Sequence, residues 1–161
     1  MLRLAAEKAG WDKPPPAGRA RGIALAESFN TIVAQVAELS VGNDGVRVHK
    51  VVCAVDCGVA INPDNVRAQM EGGIGFGLAA ILAEELTLSG GVVDQGSYDT
   101  YKPLRIDATP EVEVHIVPSS ERPTGVGEPG VPPVGPAVAN AIHAATGTPV
   151  RRLPITKALS G

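Results

Sequence analysis

Four glycines stand inside one helical stretch, and nothing else in the 161-residue chain limits its fold as severely. Asn62-Pro63-Asp64 is a helix start. Asparagine caps free backbone amides, proline at the first helical position already holds the right φ, and aspartate sits at the positive end of the helix dipole. Val66, Met70, Ile74, Leu78 and Leu82 then recur every fourth residue, so an apolar ridge follows a helix running to about Glu85. Gly72, Gly73, Gly75 and Gly77 lie in its interior. Each costs about 0.8–1 kcal/mol against alanine, so about 3–4 kcal/mol together. Close approach of another backbone or of a ligand is what offsets such a cost. At about 100° of rotation per residue, Gln69, Gly72, Gly73 and Phe76 share one side. An amide beside a flat glycine surface suits a bulky hydrogen-bonding ligand. The same surface suits tight packing of the helix on a sheet, and spacing leaves both readings open. A dinucleotide phosphate loop is excluded, because its glycines must follow a strand and open a helix, whereas this helix opens well before Gly73.

Around that helix the chain reads as one unit, residues 1–161, with 1–20 a helix tail and proline-rich linker. Leu2 to Ala9 is helical and Gly10 ends it; Lys13-Pro14-Pro15-Pro16-Ala17-Gly18 is extended. The start lacks the basic and apolar pattern of a secretory signal and could be the tail of a longer helix. Gly22 to Val41 is two strands or one long bent strand, broken at Ser28-Phe29-Asn30. Asn43-Asp44-Gly45 is a hairpin turn. Val46 to Asp56 is a strand whose run Val51–Val55 predicts burial on both faces. A short hairpin over 86–93, an irregular stretch over 98–109 and a strand over 112–117 follow. A Gly/Pro-rich loop (118–133), a helix from near Pro136 to Gly147 and an extended tail at Arg151–Pro154 complete the order. The class is α+β, a mostly antiparallel sheet with two main helices.

Charge and cysteine use remove several functions. With 14 basic and 17 acidic residues the net charge is −3, and no basic stripe offers a footprint for nucleic acid. No apolar run reaches the length of a membrane span. Cys53 and Cys57 alone form neither a zinc site nor an iron–sulfur cluster nor a disulfide scaffold. His49, His115 and His143 are scattered, and Ser28 and Ser97 stand near no base motif. The remaining chemical candidate is Thr124-Gly125-Val126-Gly127-Glu128-Pro129-Gly130. Its carboxylate, framed by residues that free or restrict the backbone, suits general base work or is a solvated acid on a surface loop.

Taken in order, four motifs resemble the molybdenum hydroxylases, the group of xanthine dehydrogenase and aldehyde oxidase. They are Val55-Asp56-Cys57-Gly58 with Asn62-Pro63, Gln69-Met70-Glu71-Gly72-Gly73-Ile74, Tyr101-Lys102, and Gly127-Glu128-Pro129-Gly130 before an alanine-rich helix. The stretch from Gly127 through Ile142 is most similar to the large (beta) subunit of isoquinoline 1-oxidoreductase and related bacterial aldehyde dehydrogenases. The resemblance runs from about Gly18 to Pro154 and is to the C-terminal part of the molybdopterin-binding large subunit. It implies a piece of a larger molybdopterin-binding domain and a molybdopterin cofactor, plain or as the cytosine dinucleotide. The implied reaction hydroxylates an aldehyde or N-heterocycle with water-derived oxygen. Glu128 matches the general base and Gln69 the cofactor contact, with Gly72 and Gly73 in the same pocket and no metal ligand from this chain. The implied partners are the remainder of the large subunit or a companion chain, and a small subunit carrying the iron–sulfur clusters. The alternative is a truncated, non-catalytic assembly domain of the same fold. A soluble protein, cytoplasmic or periplasmic, is expected.

Overall fold

The computed structural model describes residues 1–158. β1 (Ala20–Ser28) and β2 (Thr31–Gly42) form a hairpin closed by Phe29 and Asn30, whose φ values of 54° and 60° are both positive. Two successive positive-φ residues give the turn that matches strand twist, so the break at Ser28-Phe29-Asn30 separates two strands. β3 (Gly45–Asp56) pairs antiparallel with β2 after the Asn43-Asp44-Gly45 turn. Once the separate short hairpin of β4 (Leu88–Ser89) and β5 (Val92–Val93) is set aside, the sheet order is β1-β2-β3 followed by a last strand at the edge beyond β3. That strand, β6 (Glu111–Ile116), runs parallel to β3. That pairing follows from the crossover: the chain leaves β3, passes through α2 (Pro63–Leu82) and re-enters the sheet in the same direction. The class is α+β, antiparallel except at this one pair.

Burial on both faces of the central strands has a simple cause. Val33, Ala37, Leu39, Val51, Cys53 and Val55 pack towards α2 and α3 (Val134–Thr146). Ala34, Val36, Val52 and Ala54 are covered from behind by Ala5 and Leu4 of α1 (Leu2–Lys8). The Val66–Met70–Ile74–Leu78 ridge is buried as its period requires. Asn62 Oδ1 accepts from the amides of Asp64 and Asn65, both at 3.1 Å, and so caps α2. The helix ends at Leu82, a little short of Glu85, because the Ala79 carbonyl accepts from both Ala83 and Glu84 and widens the last turn. α3 begins two residues before Pro136, which its first turn tolerates because those amides lack intrahelical partners. Gly147 at φ 75° ends it. Past the Arg151–Pro154 segment read as extended, a short helix that the sequence did not announce, α4 (Ile155–Ala158), follows Pro154, anchored by the fully buried Ile155. Among the described residues no helix is long and apolar enough to cross a membrane.

An ion cluster around the buried Glu38 ties the N-terminal segment to the sheet. Glu38 accepts from Arg19 at 2.8 Å and from Arg21 at 2.9 Å, and Arg21 also donates to the carbonyls of Gly10 and Lys13. Burial pushes the Glu38 carboxyl up, but the two arginines outweigh it and hold the group below the ordinary glutamate range. A carboxyl lowered by folding contributes stability at neutral pH that is lost as pH falls through its folded value. Denaturant unfolding at stepped pH should show this acid loss. Glu38→Gln should cost about 1–3 kcal/mol at neutral pH and flatten the acid limb.

Candidate functional site

The helix glycines divide into two kinds. A Cβ on Gly73 would meet Gly130 Cα at 3.4 Å, and one on Gly77 would lie 2.6 Å from Val134 Cγ1 and 3.2 Å from the Val131 carbonyl. These two glycines, one turn apart, let the chain entering α3 lie directly on the α2 backbone. Close packing accounts for them, although a loop and α3, and not the sheet, do the packing. Gly72 and Gly75 are different: a Cβ on either would meet nothing within 4 Å. Contacts among the described residues give no reason for glycine there.

Gly72 opens onto a cavity of about 480 Å³. Gln69, Gly72, Gly73 and Phe76 of α2 form one wall, Ser28 and Phe29 of the β1–β2 turn a second, and Gly127 and Glu128 of the loop before α3 a third. The four residues singled out in the sequence, Glu128, Gln69, Gly72 and Gly73, therefore line one space. A second hollow, of about 530 Å³, lies beyond Val131 and Pro132 against Gly77, Ala139 and Leu153 and contains none of the four.

The loop bearing Glu128 is tied down along its length. Thr124 N–H donates to the Cys57 carbonyl at 2.9 Å, and Thr31 Oγ1 donates to the Gly125 carbonyl at 2.8 Å. Gln69 Nε2 donates to the Gly127 carbonyl at 3.3 Å. Glu128-Pro129-Gly130-Val131 is a turn closed by Val131 N–H to the Glu128 carbonyl at 2.9 Å, with proline at the position that favours its fixed φ. Glycine at 130 is required by close approach, since a Cβ there would lie 3.0 Å from the Met70 carbonyl. Glu128 itself is exposed at the cavity wall.

Sequence reasoning dismissed Ser28 as a nucleophile and gave it no other role. Its Oγ is buried without a hydrogen-bond partner, in a residue that lines the cavity. Phe29 and Phe76, 61% and 70% exposed, add apolar wall. Helical rotation already puts Phe76 on the side of Gln69 and Gly72, whereas no local pattern marks Ser28 and Phe29, which the hairpin turn brings to α2. The lesser candidates stay apart. Asp56 Oδ1 accepts from Gly58 N–H, a turn contact. Burial pushes the Cys53 thiol up to about 12 and raises Cys57 as well, so neither is poised as a nucleophile. His49 bonds Ser40 and His115 bonds Glu113, on different strands.

Comparison with known proteins shows what the chain is similar to. Residues 5–110 match the family model of a molybdopterin cofactor-binding domain. The chain is 36% identical over 166 residues to the membrane-bound aldehyde dehydrogenase (pyrroloquinoline-quinone) of Gluconacetobacter polyoxogenes, covering 98% of this chain and 21% of that protein. It is 35% identical over 165 residues to isoquinoline 1-oxidoreductase subunit beta of Brevundimonas diminuta, with 99% and 21% covered. It thus spans about a fifth of the length of these curated relatives. Among solved structures, the aldehyde oxidoreductase from Desulfovibrio desulfuricans superposes with a TM-score of 0.65 at 26% identity, over 81% of this chain and 15% of that one. Quinoline 2-oxidoreductase from Pseudomonas putida 86 shares the fold at a TM-score of 0.68 and 22% identity, over 78% and 17%.

Proposed function

The chain belongs to the molybdopterin cofactor-binding domain family, and from that premise we propose that its cavity is one wall of the pterin pocket of a molybdenum-dependent oxidoreductase, with Glu128 as general base. The observation that supports this most is the meeting of Gln69, Gly72, Gly73 and Glu128, distant in sequence, around one space. The residues fit a flat, hydrogen-bonding group. Gly72 leaves open room where any side chain would intrude, Gln69 brings an amide to the wall, and the orphaned Ser28 Oγ lacks a partner that a ligand could supply. Gln69, Gly72 and Gly73 would hold the pterin, and bound there it would supply the centre for a two-electron oxidation.

The part this chain plays in the chemistry is to move a proton. Glu128 accepts it from the water-derived oxygen as that oxygen attacks the electron-poor carbon of an aldehyde or N-heterocycle. The substrate binds from the open side, past Phe29 and Phe76, whose exposed rings offer an apolar approach. The rest of a large subunit completes the pocket, and an iron–sulfur chain carries the electrons away.

Cofactor retention tests the pocket. Gly72→Ala should stabilise the chain by up to about 1 kcal/mol, since alanine is the better helix former and its Cβ meets nothing. The same methyl group should lower cofactor retention several-fold by occupying the flat wall. Gln69→Ala should lower retention without the gain in stability. Molybdenum per chain after gel filtration of the assembled protein, with thermal unfolding alongside, reads both effects. Unchanged molybdenum in both variants would remove the pocket assignment. Because one relative is named for pyrroloquinoline quinone, the released organic group is identified too: a pterin supports the proposal, and a quinone without molybdenum overturns it.

A further inference from the structure

Gln35 is fully buried on β2, between Val33 and Ala37 on the face that meets α2 and α3. A buried polar group left unpaired costs about 1–3 kcal/mol, so an amide among valines and alanines calls for a bond that a hydrophobe cannot make. Its Nε2 donates to the Gly130 carbonyl at 2.8 Å, while its Oε1 has no partner. Gly130 is held from the other side by α2, close against the Met70 carbonyl and Gly73 Cα. The bonded carbonyl belongs to the third residue of the turn that Glu128 opens and Val131 closes. Gln35 itself is not part of the cavity wall.

We infer that Gln35 is a positioning residue for Glu128: its buried amide fixes the Glu128–Val131 turn against α2 and so keeps the carboxylate at the cavity wall. The other ties from the sheet and α2 fall earlier in the loop, at Thr124, Gly125 and Gly127. Within the turn, the Val131 carbonyl accepts from Val134 N–H of α3 at 3.4 Å, and the Gln35 bond is the side-chain bond that reaches it from the sheet. The consequence for turnover rests on the reading of Glu128 as the base; the mechanical part does not.

Two variants of opposite polarity test the inference. Gln35→Met keeps the volume and removes the donor, whereas Gln35→Asn keeps the amide but is too short to hold the same bond. In the 161-residue chain, hydrogen exchange at the Val131 amide should quicken about tenfold in both, within the range set by one net hydrogen bond. Amides of the β1–β2 ladder should keep their protection. In the assembled, cofactor-loaded enzyme, kcat should fall about tenfold with KM and molybdenum content unchanged. An unmoved Val131 amide, or a uniform loss of protection across the ladder, overturns the inference. So does a loosened turn with normal kcat while Glu128→Gln is inactive. If Glu128→Gln keeps full turnover, the base reading falls alone, and the exchange result still decides whether Gln35 fixes the turn.

Discussion

In the loaded assembly, Glu128→Gln is expected to lower kcat by about 10²–10⁴-fold, the usual contribution of general base assistance, at unchanged molybdenum content. The amide has the carboxylate's shape and cannot accept the proton. The substitution should leave the loop in place, because the bonds that hold it run through the amides of Thr124 and Gly125 and the carbonyls of Gly125, Gly127, Glu128 and Gly130, and none of these uses the Glu128 side chain. Glu128 is also exposed, so exchanging its head group costs no core packing. Steady-state kinetics on preparations matched for molybdenum separates loss of the base from loss of the cofactor.

Gly22→Ala is expected to damage the packing of α3 on the sheet severely. A Cβ at Gly22 would lie 2.2 Å from both the Ala137 carbonyl oxygen and the Ala141 nitrogen. Both are backbone atoms of α3, so no rotamer change makes room. Overpacking usually costs about 1–3 kcal/mol, and a backbone clash of this depth should cost at least about 3 kcal/mol. Relief requires α3 to lift from β1, which breaks the bond from Asn140 Nδ2 to the Ile23 carbonyl at 3.0 Å and shifts the chain entering α3 over Gly73 and Gly77. The injury should therefore reach the cavity. Gly42→Ala, whose Cβ meets nothing, is the control and should stay within about 0.5 kcal/mol in the same denaturant titration.

The parts legible in the sequence were those written in local chemistry. The Asn62 cap, the four-residue ridge, the Asn-Asp-Gly turn and the Gly147 stop each depend on near neighbours, and each stands where the residues put it. The parallel partner of β3 was not legible, because alternation in residues 112–117 is the same whichever way the strand runs. Nor could spacing decide what the helix glycines were for. Close packing accounts for Gly73 and Gly77, against residues 130–134 and not the sheet, while Gly72 and Gly75 face open space, and only the placement of residues 130–134 separates the pairs. Gln35 was hidden for a related reason. A lone polar residue in a strand reads as an outward position, and its burial is visible only once Gly130, far along the chain, arrives beside it. Ser28 and Phe29 reach the site through a turn, so their role is tertiary throughout.

Anomalous diffraction at the molybdenum edge, from crystals of the loaded assembly, locates the metal without reference to activity. The expected result is a single metal peak at the mouth of the cavity, beside the Glu128 carboxylate, with the organic part of the cofactor against Gln69 and Gly72. A metal peak remote from Glu128, with the cavity filled by another stretch of polypeptide, would contradict the assignment of this space as the cofactor pocket.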